Sequence, residues 1–255
     1  MGGGEMDSGE VRQEWTQRQA ELRARVDQSD RHLGFGTAEE GFVGLQRVGG
    51  VDISYPRQTS GDTATVALVV LAFPSMDVLY AECQNVDIQV PYIPGFLAFR
   101  EIHAYRQAIA HLQAVHPELM PQVIMVDGNG TLHPRRFGSA CHLGVEMDVP
   151  AIGVAKNFLH IEGDLDGVDA RGLKRLFRET AGLKEVELRG ESGQVYGMAV
   201  GPPGMATNPV FVSTGHRISL ATAVALVKQC SLHRVPEPIR VADQRSRAKA
   251  RLLEG

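Results

Sequence analysis

The segment RVGGVDISYPRQTSGDTATVALVVLAFPSMDVLYAECQNVDI (47–88) decides the fold of this chain. It contains three apolar runs rich in β-branched residues, at 47–55, 66–73 and 78–88, and such runs favour strands. Turn-forming pairs, Gly61-Asp62 and Pro74-Ser75, separate the runs. The segment therefore predicts three consecutive antiparallel strands.

After this segment, strands alternate with helices. The sequence predicts a helix over 97–115, strands at 122–128 and 151–156 with a helix at 139–147 between them, late strands within 194–200 and 209–215, and a helix from Ser219 to Cys230 with Ser219 as N-cap. A strand, a helix and a second strand at this spacing indicate a parallel crossover. Three antiparallel strands followed by parallel strands with helices is the order of an α/β, ribonuclease H-like mixed sheet flanked by helices.

The N-terminal part predicts a tail and then a helix. Residues 1–10 read as a flexible tail, and an amphipathic helix is expected from about Val11 to Val26. No internal repeat or interdomain linker follows, so residues 11–255 are expected to form a single domain.

Composition indicates an intracellular globular protein. Hydrophobic residues make up 43% of the 255 residues and charged residues 22%. The three cysteines are widely spaced without a CxxC pattern, which argues against disulfides and zinc and favours a reducing compartment. The run at 66–73 is too short to span a bilayer, and the acidic N-terminus does not resemble a signal peptide. We expect a cytoplasmic or nuclear (nucleolar) monomer without membrane contact.

Net charge leaves the partner undecided. The formal charge of −4 argues against a broad basic face for nucleic acid. However, carboxylates that hold a metal ion count as negative in this sum although the loaded site is positive. Local basic clusters also occur, at Arg135 and Arg136 and then at Arg240, Arg245, Arg247, Lys249 and Arg251.

Three carboxylates fall at positions where the predicted topology could bring them together. Asp52 lies in GGVDIS, Asp127 ends an apolar strand, and Glu101 is placed in the first turn of a helix. Each has an ordinary structural explanation, as a turn residue or as an answer to the helix dipole. Adjacent strands and a packed helix would nevertheless place all three within reach of one magnesium ion or a close metal pair.

Two further residues are candidates for phosphate chemistry. His216 lies in STGHRIS before the last predicted helix, and Lys156 ends the strand GVAK. His216 could also be a surface loop residue and Lys156 a solvated strand end, although a lysine beside a carboxylate site is better explained as a phosphate contact or a charge balance. Phosphate-loop, HExxH, GxSxG and dinucleotide motifs are absent, which argues against those enzyme classes.

The chain resembles the endonuclease V family. The resemblance runs from about Leu45 to Asp243 and is carried, in the family's order, by VGGVDIS, PYIPGFLAFRE, MPQVIMVDGNGTLHPRRFGSACHLG, IGVAK and STGHRISL, with PEPIRVAD (236–243) as in animal members. It implies a ribonuclease H-like fold. It also implies magnesium-dependent hydrolysis at the second phosphodiester on the 3′ side of inosine, with manganese tolerated.

The resemblance also implies residue roles. Asp52 and Asp127 would bind the metal, Glu101 would complete the acidic cluster, His216 would orient water or stabilise the scissile phosphate, and Lys156 would contact it. In the PYIPG loop, Tyr92 would act as a wedge that fills the space of the displaced base, with Pro91, Ile93 and Pro94 beside it. The base pocket would be lined by Gly95, Leu97, Gly128, Gly130 and Leu159. No site is assigned to residues 162–190.

Three functions stay open at this point. The preferred one is cleavage of inosine-containing single-stranded RNA, as the resemblance to animal members implies. The same chemistry on deoxyinosine-containing DNA is the closest alternative, because a single backbone group can read the 2′-hydroxyl. A non-catalytic binder of edited RNA is the third, although it would not need the acidic cluster.

Overall fold

A computed structural model describes residues 8–38, 41–56, 63–88, 90, 93–204 and 207–253. The helices are α1 (Ser8–Arg23), α2 (Leu97–Val115), α3 (Ser139–Met147), α4 (Ala170–Glu179), α5 (Leu220–Gln229) and α6 (Glu237–Arg251). The strands are β1 (Gly36–Ala38), β2 (Gly41–Val43), β3 (Arg47–Ser54), β4 (Thr63–Ala72), β5 (Val78–Asp87), β6 (Val123–Asp127), β7 (Ala151–Ala155), β8 (Glu185–Arg189), β9 (Val195–Val200) and β10 (Val210–His216).

Eight of the described strands form one mixed sheet in the order β5-β4-β3-β6-β7-β10-β9-β8. Strands β3, β4 and β5 pair antiparallel, as the segment 47–88 predicts. Strands β3, β6 and β7 pair parallel, with α3 as the crossover between the last two. The predicted ribonuclease H-like order is thereby confirmed, and the carboxyl ends of the three parallel strands meet at one edge.

Helices cover both faces of this sheet. Strand β4 shows why, because its apolar residues are buried on both sides: Leu68 and Val70 pack with α2, whereas Val69 and Leu71 pack with α6. Helix α3 shares the face of α2, and α5 shares the face of α6. None of the helices in the described ranges is both long and apolar enough to cross a membrane.

Several elements differ from the prediction. Helix α1 begins at Ser8 and ends at Arg23, so the last three residues of the predicted tail are helical, while residues 1–7 lie outside the described residues. The predicted turn at Gly61-Asp62 also lies outside them. The hairpin β1–β2, strand β8 and helix α4 are additional elements that the sequence patterns did not predict.

Helix α6 is the most consequential addition. Its sequence, EPIRVADQRSRAKAR, is so rich in charge that it reads as a basic cluster. Its buried residues Ile239, Ala242, Ser246 and Ala250 nevertheless recur at intervals of three and four, which defines one inward face. Pro238 and Glu237 in the first turn, and Lys249 and Arg251 in the last, suit the helix ends.

Candidate active site

An acidic triad lies at the carboxyl edge of the parallel strands. Asp52 is near the end of β3 and Asp127 ends β6, and the register pairs Val51 with Val126, one position before them. Helix α6 adds Asp243 from the face of the sheet that it covers. One carboxylate oxygen from each aspartate lies within 4.8 Å of the others. Three acids this close form a set of hard oxygen ligands of the kind that Mg²⁺ prefers.

Glu101 reaches the same cleft from the opposite face of the sheet. It is the fifth residue of α2, so the expectation that it stands in the first turn and answers the helix dipole is wrong. Its carboxylate is only 5% exposed and accepts a hydrogen bond from the Tyr105 hydroxyl at 3.4 Å. Glu101 lines the cleft with Asp52 and Asp127, although the close triad of the described residues is completed by Asp243.

Two cationic side chains balance the triad. The Lys156 ammonium donates to Asp127 Oδ2 at 2.5 Å and also contacts Asp243 Oδ1. The Arg247 guanidinium lies 2.9 Å from the same Asp243 oxygen. Burial alone would lower the pKa of Lys156, but the charges of Asp127 and Asp243 outweigh it and raise that pKa. Lys156 therefore stays positively charged beside the acids.

The electrostatics of the cleft favour a divalent cation. Burial, followed by the charge of Asp127, raises the pKa of Asp52 to about 7. Burial, followed by the charge of Asp52, raises the pKa of Glu101 to about 8. The Ser246 hydroxyl opposes this by donating a hydrogen bond to Asp52. The protein thus holds carboxylates where ionisation is costly, and a bound cation would remove that cost. The donor set fits a metal.

The triad opens into a cleft of about 450 Å³. A smaller cavity of about 220 Å³ adjoins it and shares Asp127, Gly128, Asn129 and Leu159 with it. Gly95 and Leu97 complete the wall of this cavity from the start of α2. Four of the five residues predicted for the base pocket therefore meet around one cavity beside the acids.

Gly95 occupies a turn that requires glycine. The Phe96 N–H donates to the Ile93 carbonyl at 3.0 Å, with Pro94 and Gly95 at the central positions and φ of +83° at Gly95. This is the pattern of a type II turn. The Gly95 carbonyl accepts a hydrogen bond from Arg135 Nη2 at 2.6 Å, which fixes the turn against the core.

Gly130, the fifth residue predicted for the base pocket, does not line the small cavity. It is buried, and its N–H donates to the Ser213 hydroxyl at 2.9 Å. A Cβ atom at this position would lie 2.1 Å from the Thr214 carbonyl oxygen. Glycine is needed here because the backbone of β10 passes directly against it.

The predicted wedge loop is only partly described. Pro91 and Tyr92 lie outside the described residues. Pro94 is exposed, as expected of a loop. The Ile93 side chain is 8% exposed and packs with Val11 and Phe96 in a small apolar cluster, and its role beside the wedge stays a prediction.

His216 lies at the opposite end of the sheet from the acids, so the structure does not bring it together with them, and its catalytic role stays a prediction. It pairs with Ala151 at the start of β7, whereas Asp127 pairs with Val154 near the end of that strand. At roughly 3.3 Å per residue, the four steps from Ala151, the partner of His216, to Ala155, the residue before Lys156, span about 13 Å. The His216 ring is 5% exposed and accepts a hydrogen bond from the Asp27 N–H at 3.2 Å. Burial, followed by the charge of Arg217, lowers the pKa of His216, which suits a neutral structural histidine.

Sequence reasoning assigned no site role to three residues of α6: Asp243 and Arg247, which line the cleft, and Ser246, which donates a hydrogen bond to Asp52. The available signal was the block PEPIRVAD, which ends on Asp243 in a stretch that matches the family pattern. An aspartate followed at i+4 by an arginine reads as a surface helix pair, which hid its other role.

Known proteins resemble this chain over nearly its whole length. The family model for endonuclease V matches residues 31–244. Endonuclease V of Mus musculus is 45% identical over 245 residues, which cover 94% of this chain and 70% of the mouse protein. The crystal structure of the catalytic domain of human endonuclease V superposes with a TM-score of 0.86 at 42% identity, covering 96% of this chain and 98% of the human one. Endonuclease V of Ciona intestinalis, solved with a 24mer DNA containing an inosine followed by a ribo-adenosine, gives a TM-score of 0.85 at 37% identity, covering 96% and 99%.

Proposed function

This chain belongs to the endonuclease V family and is a nuclease, and we propose that it cuts inosine-containing single-stranded RNA at the second phosphodiester on the 3′ side of the inosine, using magnesium. The observation that carries the proposal is the meeting of the acidic triad with a small cavity inside one cleft. A phosphodiester can lie at the acids while a nearby base enters the cavity.

Asp52, Asp127 and Asp243 would hold Mg²⁺, and Mn²⁺ would be tolerated at the same oxygens. When bound, the cation supplies a Lewis acid that activates water and neutralises charge on the phosphate. Ser246 keeps Asp52 in place, since its hydroxyl donates to Asp52 Oδ2 and is itself fully buried. Glu101, anchored by Tyr105, closes the acidic wall from the side of α2.

Lys156 and Arg247 are the groups that would receive the scissile phosphate. Both line the cleft, and both now neutralise Asp243. Once a divalent cation balances the acids, these side chains are available to donate hydrogen bonds to phosphate oxygens. In this proposal they bind the substrate backbone, and the small cavity selects the base.

The cavity would select hypoxanthine by its hydrogen-bonding edge. Hypoxanthine carries a carbonyl and an adjacent ring N–H, whereas adenine presents an amino group and a bare ring nitrogen. A backbone N–H and a backbone C=O near Gly95 and Gly128 would therefore form hydrogen bonds with hypoxanthine. With adenine the same buried groups would stay unpaired, and each unpaired group would weaken binding by about 1–3 kcal/mol. Guanine has the same hydrogen-bonding edge as hypoxanthine but carries an additional amino group at C2. The shape of the cavity, or the lack of an acceptor for that amino group, would exclude guanine.

The preference for RNA is supported by the 24mer DNA in complex with the Ciona relative, in which a ribo-adenosine follows the inosine. A single ribose next to the modified base suggests that this position is where the 2′-hydroxyl matters. The rest of that strand is DNA, which keeps deoxyinosine-containing DNA as the second candidate substrate.

One assay tests the proposal. Single-stranded RNA, DNA, and DNA with one ribonucleotide after the inosine, otherwise identical, are incubated with the protein and Mg²⁺, and the product ends are mapped. We expect RNA and the single-ribose strand to be cut at the second phosphodiester and DNA to be cut more slowly. Equal rates on RNA and DNA would refute the RNA preference. Efficient cutting of inosine-free strands with guanosine at that position would refute the pocket.

A non-catalytic binder is distinguished by variants of the triad. Asp52→Ala and Asp127→Asn should abolish cleavage while binding of the inosine strand persists. If wild-type protein binds the inosine strand but gives no product with Mg²⁺ or Mn²⁺, the binding function is the correct one.

A further inference from the structure

Helix α4 carries basic side chains that the cleft does not use. Arg171, Lys174, Arg175 and Arg178 recur at intervals of three and four, so they lie on one face of the helix. All four are exposed. We call these four residues the α4 stripe. It lies within 162–190, where the sequence analysis assigned no site.

The charge of the α4 stripe is only partly compensated. Backbone hydrogen bonds to the neighbouring Asp169, followed by the charges of Arg175 and Arg171, lower the pKa of its carboxyl group. Arg178 pairs with Glu179 at 3.4 Å. Across the part of the chain that the structure describes, Arg171, Lys174 and Arg175 form no ion pair with any acidic side chain. The adjacent Asp169 serves as the N-cap, where its carboxylate accepts the N–H groups of Arg171 and Gly172 at 2.8 and 2.9 Å. In a chain of net charge −4, the stripe is a local positive excess.

The opposite face of α4 packs on an apolar cluster that extends to the cleft. Leu173 is 5% exposed and belongs to an apolar cluster against which Phe177 and Phe158 pack. Phe158 also lines the cleft, two residues after Lys156. One apolar cluster therefore connects the buried face of α4 to Phe158 in the wall of the cleft.

We propose that the α4 stripe binds the phosphate backbone of the substrate strand where that strand leaves the cleft. The inference rests on the proposed function, because it takes the substrate to be a single strand longer than the cleft. From Arg171 to Arg178 the helix rises about 10 Å, which matches a short length of strand backbone. Contacts of this kind add affinity without sequence preference, since guanidinium and ammonium groups read phosphate and not bases.

The test compares two variants of equal charge. In the stripe variant, Arg171→Gln, Lys174→Gln and Arg175→Gln are combined. The control variant combines Arg18→Gln, Arg31→Gln and Arg189→Gln, which are exposed and form no part of the cleft, the α4 stripe or the pocket that Arg178 lines. Arg18 and Arg189 pair with the exposed Glu21 and Glu187, and such ion pairs contribute little to stability.

Binding is measured in Ca²⁺, with an inosine RNA that only fills the cleft and with the same RNA extended at its 5′ or its 3′ end. The stripe variant should bind the short RNA like wild type and lose about tenfold or more on one extended RNA. Its slope of log affinity against log salt on that RNA should be smaller by about 2, because three phosphate contacts at 0.7 each are removed. The control variant should behave like wild type.

Equal affinities and salt slopes for the stripe variant and wild type on every RNA would overturn the inference, as would equal losses in both variants. An acidic protein as the true partner of the α4 stripe would give that first result. Repeating the measurement with inosine-free strands separates the proposal for the α4 stripe from the proposed function.

If wild-type protein fails to cut inosine RNA, the proposed function fails. A loss of affinity in the stripe variant that depends on RNA length would still support the α4 stripe as a backbone-binding surface.

Discussion

At the scale of single residues, the cleft combines carboxylates that the fold holds together against their mutual repulsion. Asp52 and Glu101 are 6% and 5% exposed, and Asp127 and Asp243 lie at the rim with Lys156 between them. A bound divalent cation would offset the cost of this arrangement, since an uncompensated buried charge is destabilising. The identity of the third aspartate is the point that variants can decide most directly.

We predict that Asp243→Asn reduces cleavage of inosine RNA by at least about a hundredfold, because the loss of one ionised ligand removes a few kcal/mol of transition-state stabilisation.

His216→Gln should leave cleavage within about threefold of wild type, since His216 lies at the other end of β7. Rates are compared at saturating Mg²⁺ on folded protein. A folded His216→Gln that no longer cuts would support the catalytic role for this histidine.

We predict that His133 makes the protein sensitive to acid. Burial, followed by the charge of Arg135, lowers the pKa of His133 from 6.5 to about 4. The folded protein therefore binds fewer protons than the unfolded chain between these values, and stability is lost as the pH falls from 6.5 towards 4, by up to about 3 kcal/mol. In urea unfolding at pH 7 and pH 4.5, His133→Gln should lose less stability than wild type. An equal loss in both proteins would contradict this assignment.

At the scale of elements, the active site depends on how closely α6 lies against β3. A Cβ atom at Gly50 would stand 2.1 Å from the Pro238 carbonyl oxygen, so glycine is what allows the first turn of α6 to touch the strand. The same contact sets the position of Asp243 and Ser246, one and two turns further along the helix. A glycine in β3 thus controls ligands that come from a distant part of the sequence.

We predict that Gly50→Ala weakens Mg²⁺ binding as well as stability, because α6 must move away from the sheet and carry Asp243 with it. A loss of about 1–3 kcal/mol in unfolding free energy is expected from overpacking. Gly36→Ala is the matched control, since nothing lies within 4 Å of a Cβ at that position. Calorimetric titration with Mg²⁺ decides the matter: unchanged affinity in Gly50→Ala would show that α6 can shift without moving its aspartate.

At the scale of the whole molecule, the sheet places its functional groups at one edge. The carboxyl ends of β3, β6 and β7 supply Asp52, Asp127 and Lys156, while α2 and α6 approach that edge from opposite faces. The fold therefore gathers its acids in one place, and their repulsion lowers the stability of the metal-free protein as a whole.

We predict that the metal-free protein gains stability when this repulsion is reduced. Because the pKa of Asp52 is raised from 3.8 to about 7, the folded protein binds more protons than the unfolded chain in that range, and stability falls as the pH rises through it. With a chelator at pH 8, Asp52→Asn should be more stable than wild type by about 2–4 kcal/mol. Mg²⁺ should raise the melting temperature of wild type and leave the variant nearly unchanged. A less stable variant under these conditions would contradict the electrostatic account of the site.

The sequence by itself determined most strands of the sheet, although not β8, and the identity of most candidate residues. Strands such as β4 are recognisable because they are apolar on both faces, and the bounds of α2 and α3 follow from apolar spacing of three and four. Asp52 and Asp127 stand out because a charged side chain in or at the end of an apolar strand is unusual. These signals are local, and local patterns can be read without coordinates.

Only the tertiary structure decided which residues share the cleft. Asp243 is part of the cleft because α6 packs back across β3. His216 lies outside the cleft because β10 runs antiparallel to β7 and ends at the far side of the sheet. Gly130 proved to be a packing residue because a backbone from elsewhere in the chain passes within 2.1 Å of its missing Cβ. These facts depend on contacts between distant segments. A charged helix or a loop histidine carries no local mark of such a contact, because the energy that fixes it comes from the packed core and not from the neighbouring residues in sequence.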